Sequence, residues 1–188
     1  MILTDAIAAL EKQFPGLGKK EFRGETTLTV ERLQIAAVCA FAKEELGFDT
    51  LLNICSVDNF GSEPRFEVVY ELYSMGDNHS LRLKSAVSED EPTIPSVAGV
   101  WNAANWHERE TYDLMGIHFI GHPDLRRILM WEGYPFYPLR KDFPLAGRPS
   151  DMPEVAFTKA APLEGGPFVT TPGPGGSKEH EPRSKRIE

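Results

Sequence analysis

The stretch RFEVVYELYSMGDNHSLRLKSAV, residues 65–87, decides the fold class. Phe66, Val68, Tyr70 and Leu72 alternate with Arg65, Glu67 and Glu71, which gives a strand one apolar and one charged face. Past the turn at Met75-Gly76-Asp77-Asn78 the alternation resumes, with Leu81, Leu83 and Val87 set against Arg82 and Lys84. Two period-two runs around a Gly/Asp/Asn turn predict an antiparallel hairpin. Pairing of Glu67 or Glu71 with Arg82 or Lys84 across it would add only about a few tenths of a kcal/mol.

Upstream, Leu51, Asn53, Cys55 and Val57 alternate with Leu52, Ile54 and Ser56, apolar on nearly both sides, so a central strand is expected. Residues 31–46 read as a helix: Leu33, Ala36, Ala37, Ala40 and Phe41 recur at helical spacing, and Gly47 is placed to end it. Residues 21–30, rich in Thr, Phe and Val, suggest one strand. Residues 4–14 suggest a short helix capped by Thr4, with Ile7, Ala8, Leu10 and Phe14 inward and Pro15-Gly16 as its stop.

Downstream, residues 88–95 form an acidic loop with two prolines. Ser96 or Asn102 is placed to cap a helix reaching about Met115, with Trp101, Ala104, Glu108, Tyr112 and Met115 on one side and Gly116 at its end. Beyond Phe119 periodicity is lost, and Pro123, Pro135, Pro138 and Pro144 exclude a long helix. Residues 147–188 are nearly one third Gly and Pro, a composition that does not fold alone. The expected architecture is α+β, a small, mostly antiparallel sheet packed by helices and followed by an extended C-terminal segment lacking regular structure. Its parts are an α+β domain over 1–120, an extended segment over 121–147 that packs on a partner, and a Gly/Pro-rich tail over 148–188.

The bulk properties narrow the function. The chain has 188 residues, is 41% hydrophobic and carries a formal charge of −8, which argues against a general nucleic-acid or anionic-membrane binder. Its longest apolar run spans eight residues, 35–42, against the roughly 20 a membrane helix needs. The N-terminus lacks a basic n-region, so a cytosolic protein that can dock on a membrane-bound neighbour is expected. Cys39 and Cys55 are the only cysteines, too few for an iron–sulfur cluster, which generally needs about four thiolates. The default reading of both is a buried, inert thiol.

One block differs from the rest. Residues 101–147 hold all three tryptophans and three of the five histidines, and their acids and bases nearly balance. Aromatics and Arg with matching carboxylates suit an interface core, although an active site can select similar residues. His107, His118 and His122 supply metal-ligand types, but position 111 is Thr where a zincin helix needs its second His. Gly121 and Pro123 also keep His118 and His122 off one helical face. The GPGGSK run at 173–178 lacks phosphate-loop spacing and has no room for the following helix. Buried charges among aromatics must be paired, which favours an interface over a cleft.

Glu108-Arg109-Glu110, Tyr112-Asp113, Gly116-Ile117, Phe119, the run 121–129 and the run 138–145 together resemble the signature of the C subunit (30 kDa subunit) family of respiratory complex I, the proton-translocating NADH:quinone oxidoreductases. Weaker resemblance extends upstream through Val57-Asp58, residues 66–70 and Pro95-Ser96-Val97. Two places depart from the short pattern: residues 134–137 lengthen the link before Pro138, and the Gly/Pro-rich tail is not assigned by it. The resemblance implies a cofactor-free, non-catalytic subunit of the peripheral arm. It would be peripheral to the inner membrane on the cytoplasmic side and packed against homologues of the D (49 kDa) and B subunits. Iron–sulfur clusters, FMN and the quinone site are then expected in partner subunits. The same resemblance assigns a partner interface to Glu108, Arg109, Glu110, Tyr112, Asp113, His122, Pro123, Asp124, Arg126, Arg127, Pro138, Arg140, Lys141 and Asp142. The alternative is a stand-alone metal-dependent hydrolase built on His107, His118 and His122.

Overall fold

The hairpin forms where alternation places it: β4 (Phe66–Ser74) and β5 (His79–Val87) pair antiparallel with Tyr70 opposite Leu83 and Glu71 opposite Arg82. Glu71 pairs with Arg82 and Glu67 with Lys84 (2.6 Å), the cross-strand charges expected of the solvated face. These elements belong to a computed structural model that describes residues 2–131 and 133–144. The chain divides into two compact units, 1–137 and 138–188. The expectations for 148–188 lie outside the described residues.

In the first unit a five-stranded sheet runs in the order β1-β2-β5-β4-β3. The region read as one strand over 21–30 is a hairpin, β1 (Gly18–Phe22) and β2 (Glu25–Thr29). Its two-residue turn, Arg23-Gly24, has positive φ at both positions (52° and 83°), the primed geometry that matches strand twist. Gly24 accepts this conformation without strain and Arg23 tolerates it, so the residue types on either side masked the break. β2 pairs parallel with β5, and the other three pairings are antiparallel.

β3 (Thr50–Asp58) is an edge strand, not the central one expected. Leu51, Ile54 and Asp58 face inward, whereas Leu52, Cys55 and Val57 are exposed, with a bulge between Leu51 and Asn53 shifting the phase. The bulge explains the misreading, because it turns a two-sided apolar pattern into a one-sided strand. Cys55 is accordingly an exposed thiol; Cys39 alone is buried.

α1 (Leu3–Gln13) and α2 (Ile35–Glu44) bury Ala6, Ile7 and Leu10, and Ile35, Val38, Cys39 and Ala42. In α1 the inward alanine is Ala6 rather than Ala8, and Ile2, not Thr4, is the N-cap. In α2 the buried stripe lies on the other spacing-compatible set, and Leu33 is 65% exposed on the 3₁₀ turn Arg32–Gln34 that precedes the helix. These side chains share one core with Leu28, Tyr70, Leu72, Leu81 and Leu83 of the sheet. Buried Arg65 anchors the far end of the hairpin, forked onto Asp58 at 2.8 Å through both Nε and Nη2 and reaching Glu89 as well.

The acidic loop carries a short strand, β6 (Thr93–Pro95), which pairs parallel with β7 (His118–Ile120) and so brackets α3 (Ala104–Met115). Gly116 ends α3 at φ 74°, where its N–H reaches the Tyr112 carbonyl. No side chain caps its start: Ala103 holds the cap position, and Ser96 has another use. After β7, as its prolines require, the described chain over 121–131 and 133–144 has turns and bends but no helix or strand.

Candidate partner interface

Segment 121–130 has no hydrogen-bonded ladder of its own, so its position must come from elsewhere. α3 supplies it, through groups spaced along one side of the helix. The Asn105 carbonyl meets His122 Nε2 at 3.1 Å, Arg109 Nε donates to the Arg126 carbonyl at 3.2 Å, and Asp113 takes the main chain at 128–130.

Asp113 is fully buried, and its Oδ2 accepts three successive backbone N–H groups, from Ile128 (3.0 Å), Leu129 (2.7 Å) and Met130 (2.8 Å). Its Oδ1 takes Arg127 Nη1 at 2.6 Å, and the same guanidinium bonds the Asp113 and Phe136 carbonyls. Burial alone would raise this carboxyl, but the donors from Met130, Leu129, Arg127 and Ile128 outweigh it and hold the group below the usual aspartate value. Arg127 also lies over the rings of Tyr134 and Tyr137, so the aromatics of 134–137 close around the same cation.

Glu108, one turn earlier, is also fully buried. Oε1 accepts from the Val97 N–H at 2.6 Å and Oε2 from the Ser96 hydroxyl at 2.5 Å, tying α3 to the end of β6. His122 Nε2 lies 3.9 Å from the same carboxyl. The Asp124 N–H donates to His122 Nδ1 at 3.0 Å, which places the ring proton on Nε2, toward the Asn105 carbonyl. Burial pushes the Glu108 carboxyl up to about 7 against the lowering effect of its two donors.

The signature residues therefore fall into two groups. Glu108, Arg109, Asp113, His122 and Arg127 are each engaged by hydrogen bonds inside the chain, Glu108 toward the end of β6 and the other four between α3 and the segment it holds. Glu110, Pro123, Asp124 and Arg126 lie toward solvent; Arg126, 71% exposed at its side chain, pairs with Asp124 at 2.9 Å. Tyr112 is half-buried, edge-on to His118 at 5.9 Å. Glu110 is close enough to Cys55 on β3 to contribute to the rise of that thiol, whose main cause is desolvation. In the second unit, Pro138, Arg140, Lys141 and Asp142 lie in turns, with the Phe143 N–H on the Arg140 carbonyl at 3.0 Å.

Sequence reasoning did not single out Ser96, Asn105 or Trp106 as site residues. Ser96 and Asn105 act through groups whose targets only the fold brings near. Trp106 carries a signal that was available: it is a tryptophan on the polar side of an amphipathic helix, 63% exposed. Among the described residues no three His, Cys, Asp or Glu side chains gather as metal ligands would. His107 on α3, His118 on β7 and His122 after it are not such a group, and both nitrogens of His122 are engaged. No helix among these residues is long and apolar enough to cross a membrane.

Residues 28–149 match the family model described as the respiratory-chain NADH dehydrogenase 30 Kd subunit. The chain is 51% identical over 144 residues to the NADH-quinone oxidoreductase C subunit of Geotalea uraniireducens, covering 76% of this chain and 88% of that one. It is 48% identical over 145 residues to the protein of the same name from Geobacter sulfurreducens, covering 76% and 90%. Among solved structures it resembles a trypsin-resistant fragment (1-134) of Nqo5, with a TM-score of 0.61 and 32% identity over 66% of this chain and all of that fragment. A chain of the membrane-bound sulfane sulfur reductase, an archaeal respiratory membrane complex, shares the fold at a TM-score of 0.66 and 24% identity, covering 74% of this chain and 84% of that one.

Proposed function

The chain belongs to the family of the 30 kDa subunit of respiratory-chain NADH dehydrogenase, and from that membership we propose that it is a cofactor-free scaffold in the peripheral arm of such a complex. It packs there against homologues of the D (49 kDa) and B subunits and keeps the quinone-reducing module assembled on the cytoplasmic side of the membrane. Electrons pass through cofactors held by those neighbours, and this chain contributes position rather than chemistry.

The observation that carries the reading is how the signature is used. Its most buried acids are engaged by donors of the chain itself: Glu108 ties α3 to the end of β6, and through Asp113 the same helix fixes a segment without regular structure. Asp113, its carboxylate ringed by three amides and a guanidinium, is poorly placed to bind substrate but well placed to hold a shape. The held segment carries Arg126 and the exposed Leu129 outward, and Ile120 at the end of β7 is exposed beside it. Arginine and apolar side chains on a rigid surface suit partner contact.

Purification of the complex through a tag on this chain tests the proposal. The expected co-purifying proteins are the other peripheral-arm subunits. An Arg126→Ala chain, altered at an exposed position, is expected to lower the amount of assembled complex and the quinone-reductase activity of membranes in the same proportion. Full assembly with lost turnover would point to a direct catalytic role instead.

A further inference from the structure

We propose that Trp106 and Arg109 on α3 form a docking spot for a carboxylate-bearing segment of a neighbouring protein subunit. The proposal rests on the scaffold reading above and adds where one contact lies and what chemistry it takes.

Arg109 is only 8% exposed, and its guanidinium lies 5.1 Å from the Trp106 ring centroid. Nε is used on the Arg126 carbonyl. Among the described residues Arg109 makes no ion pair, although acids surround it in sequence. Glu108 is turned inward to Ser96 and Val97, and Asp113 is taken by Arg127 and three amides. Glu110 lies on an exposed position of α3, and Asp124 holds Arg126. Arg65, Arg82, Arg126 and Arg127 each have a carboxylate. Arg109 is thus a largely desolvated cation whose countercharge the described chain does not supply.

Such a cation is costly unless paired, and the planar guanidinium fork matches a carboxylate in two-point geometry. Beside it Trp106 leaves most of an indole in water at 63% exposure. Tryptophan and arginine are among the side chains most enriched at interface hot spots. The complementary occupant is a segment with an Asp or Glu to take the guanidinium and an apolar side chain to cover the ring.

To test this, a photo-reactive benzoylphenylalanine is placed at position 106 of the full chain, and the complex is irradiated in its membranes. The expected cross-link falls in a different subunit, within a segment that contains an Asp or Glu. Replacing that acid by Arg is expected to weaken retention of the wild-type chain roughly tenfold or more, in the range of a hot-spot loss. An Arg109→Glu chain is expected to restore it. Trp106→Ala, altered at an exposed site, is expected to melt within a degree or two of wild type and still lose retention, which separates docking from folding. A cross-link to a second copy, to residues 145–188 of the same chain, or to a segment without a carboxylate overturns the proposal. So does full retention of Trp106→Ala. If the tagged chain still brings down its complex in those cases, the scaffold reading stands and only this contact falls. If it brings down no other subunit, both fail.

Discussion

Asp113 and Glu108 are two buried acids, little more than one helical turn apart, that the fold pushes in opposite directions. Three backbone amides and a guanidinium keep Asp113 ionised. Asp113→Asn puts an amide where those donors converge, and the expected loss is roughly 2–4 kcal/mol in urea unfolding, the cost of breaking a buried charged network. Because the folded pKa of Asp113 is depressed, its contribution is present above the unfolded value of 3.8 and is lost as pH falls below it. Glu108 behaves conversely. Its folded pKa of about 7 lies above the ordinary value of 4.5, so the folded chain binds the proton more tightly. Its contribution is complete below pH 4.5 and disappears as pH rises through about 7. The whole effect is on the order of 3 kcal/mol at most, from about 1.4 kcal/mol per pKa unit. Wild type is therefore expected to lose melting temperature between about pH 5 and pH 8 through this group, and Glu108→Gln to flatten that slope; an unchanged slope would contradict the assignment. Sequence identified both acids as signature members but not their work, because most of their partners are main-chain N–H groups, which residue types do not encode.

At the level of elements, α2 shows how a helical period can be right and its phase wrong. Leu33, Ala36, Ala37, Ala40 and Phe41 fit one stripe and Ile35, Val38, Cys39 and Ala42 another; the structure buries the second. The two readings separate experimentally. Ile35→Ala is expected to cost about 2–5 kcal/mol as a core truncation, and Leu33→Ala to stay within about 0.5 kcal/mol as a surface change. The reverse ranking in chemical denaturation would restore the first stripe. The β4–β5 hairpin was legible because period, turn and charge pairs agreed. The β1–β2 hairpin was not, since its break is a backbone conformation at Arg23-Gly24 rather than a change of hydrophobic pattern. β3 was misplaced to the sheet centre because its bulge makes one exposed face read as apolar. α3 was legible in extent and in its Gly116 stop, while its role as the clasp of segment 121–130 needed the fold.

For the whole molecule, the match over residues 28–149 and the relatives near 50% identity fix the family, and the scaffold role is our proposal for a chain of that family. One unit folds around a mixed sheet, and its third helix converts an irregular segment into a fixed surface. The central claim is that this chain acts through assembly. It is tested most directly by quinone-reductase turnover per assembled complex, with the chain quantified against its co-purifying subunits, in cells carrying only the Asp113→Asn form. The expected result is fewer complexes, each turning over at the wild-type rate. A normal number of complexes containing the variant chain, each with turnover lost, would contradict it.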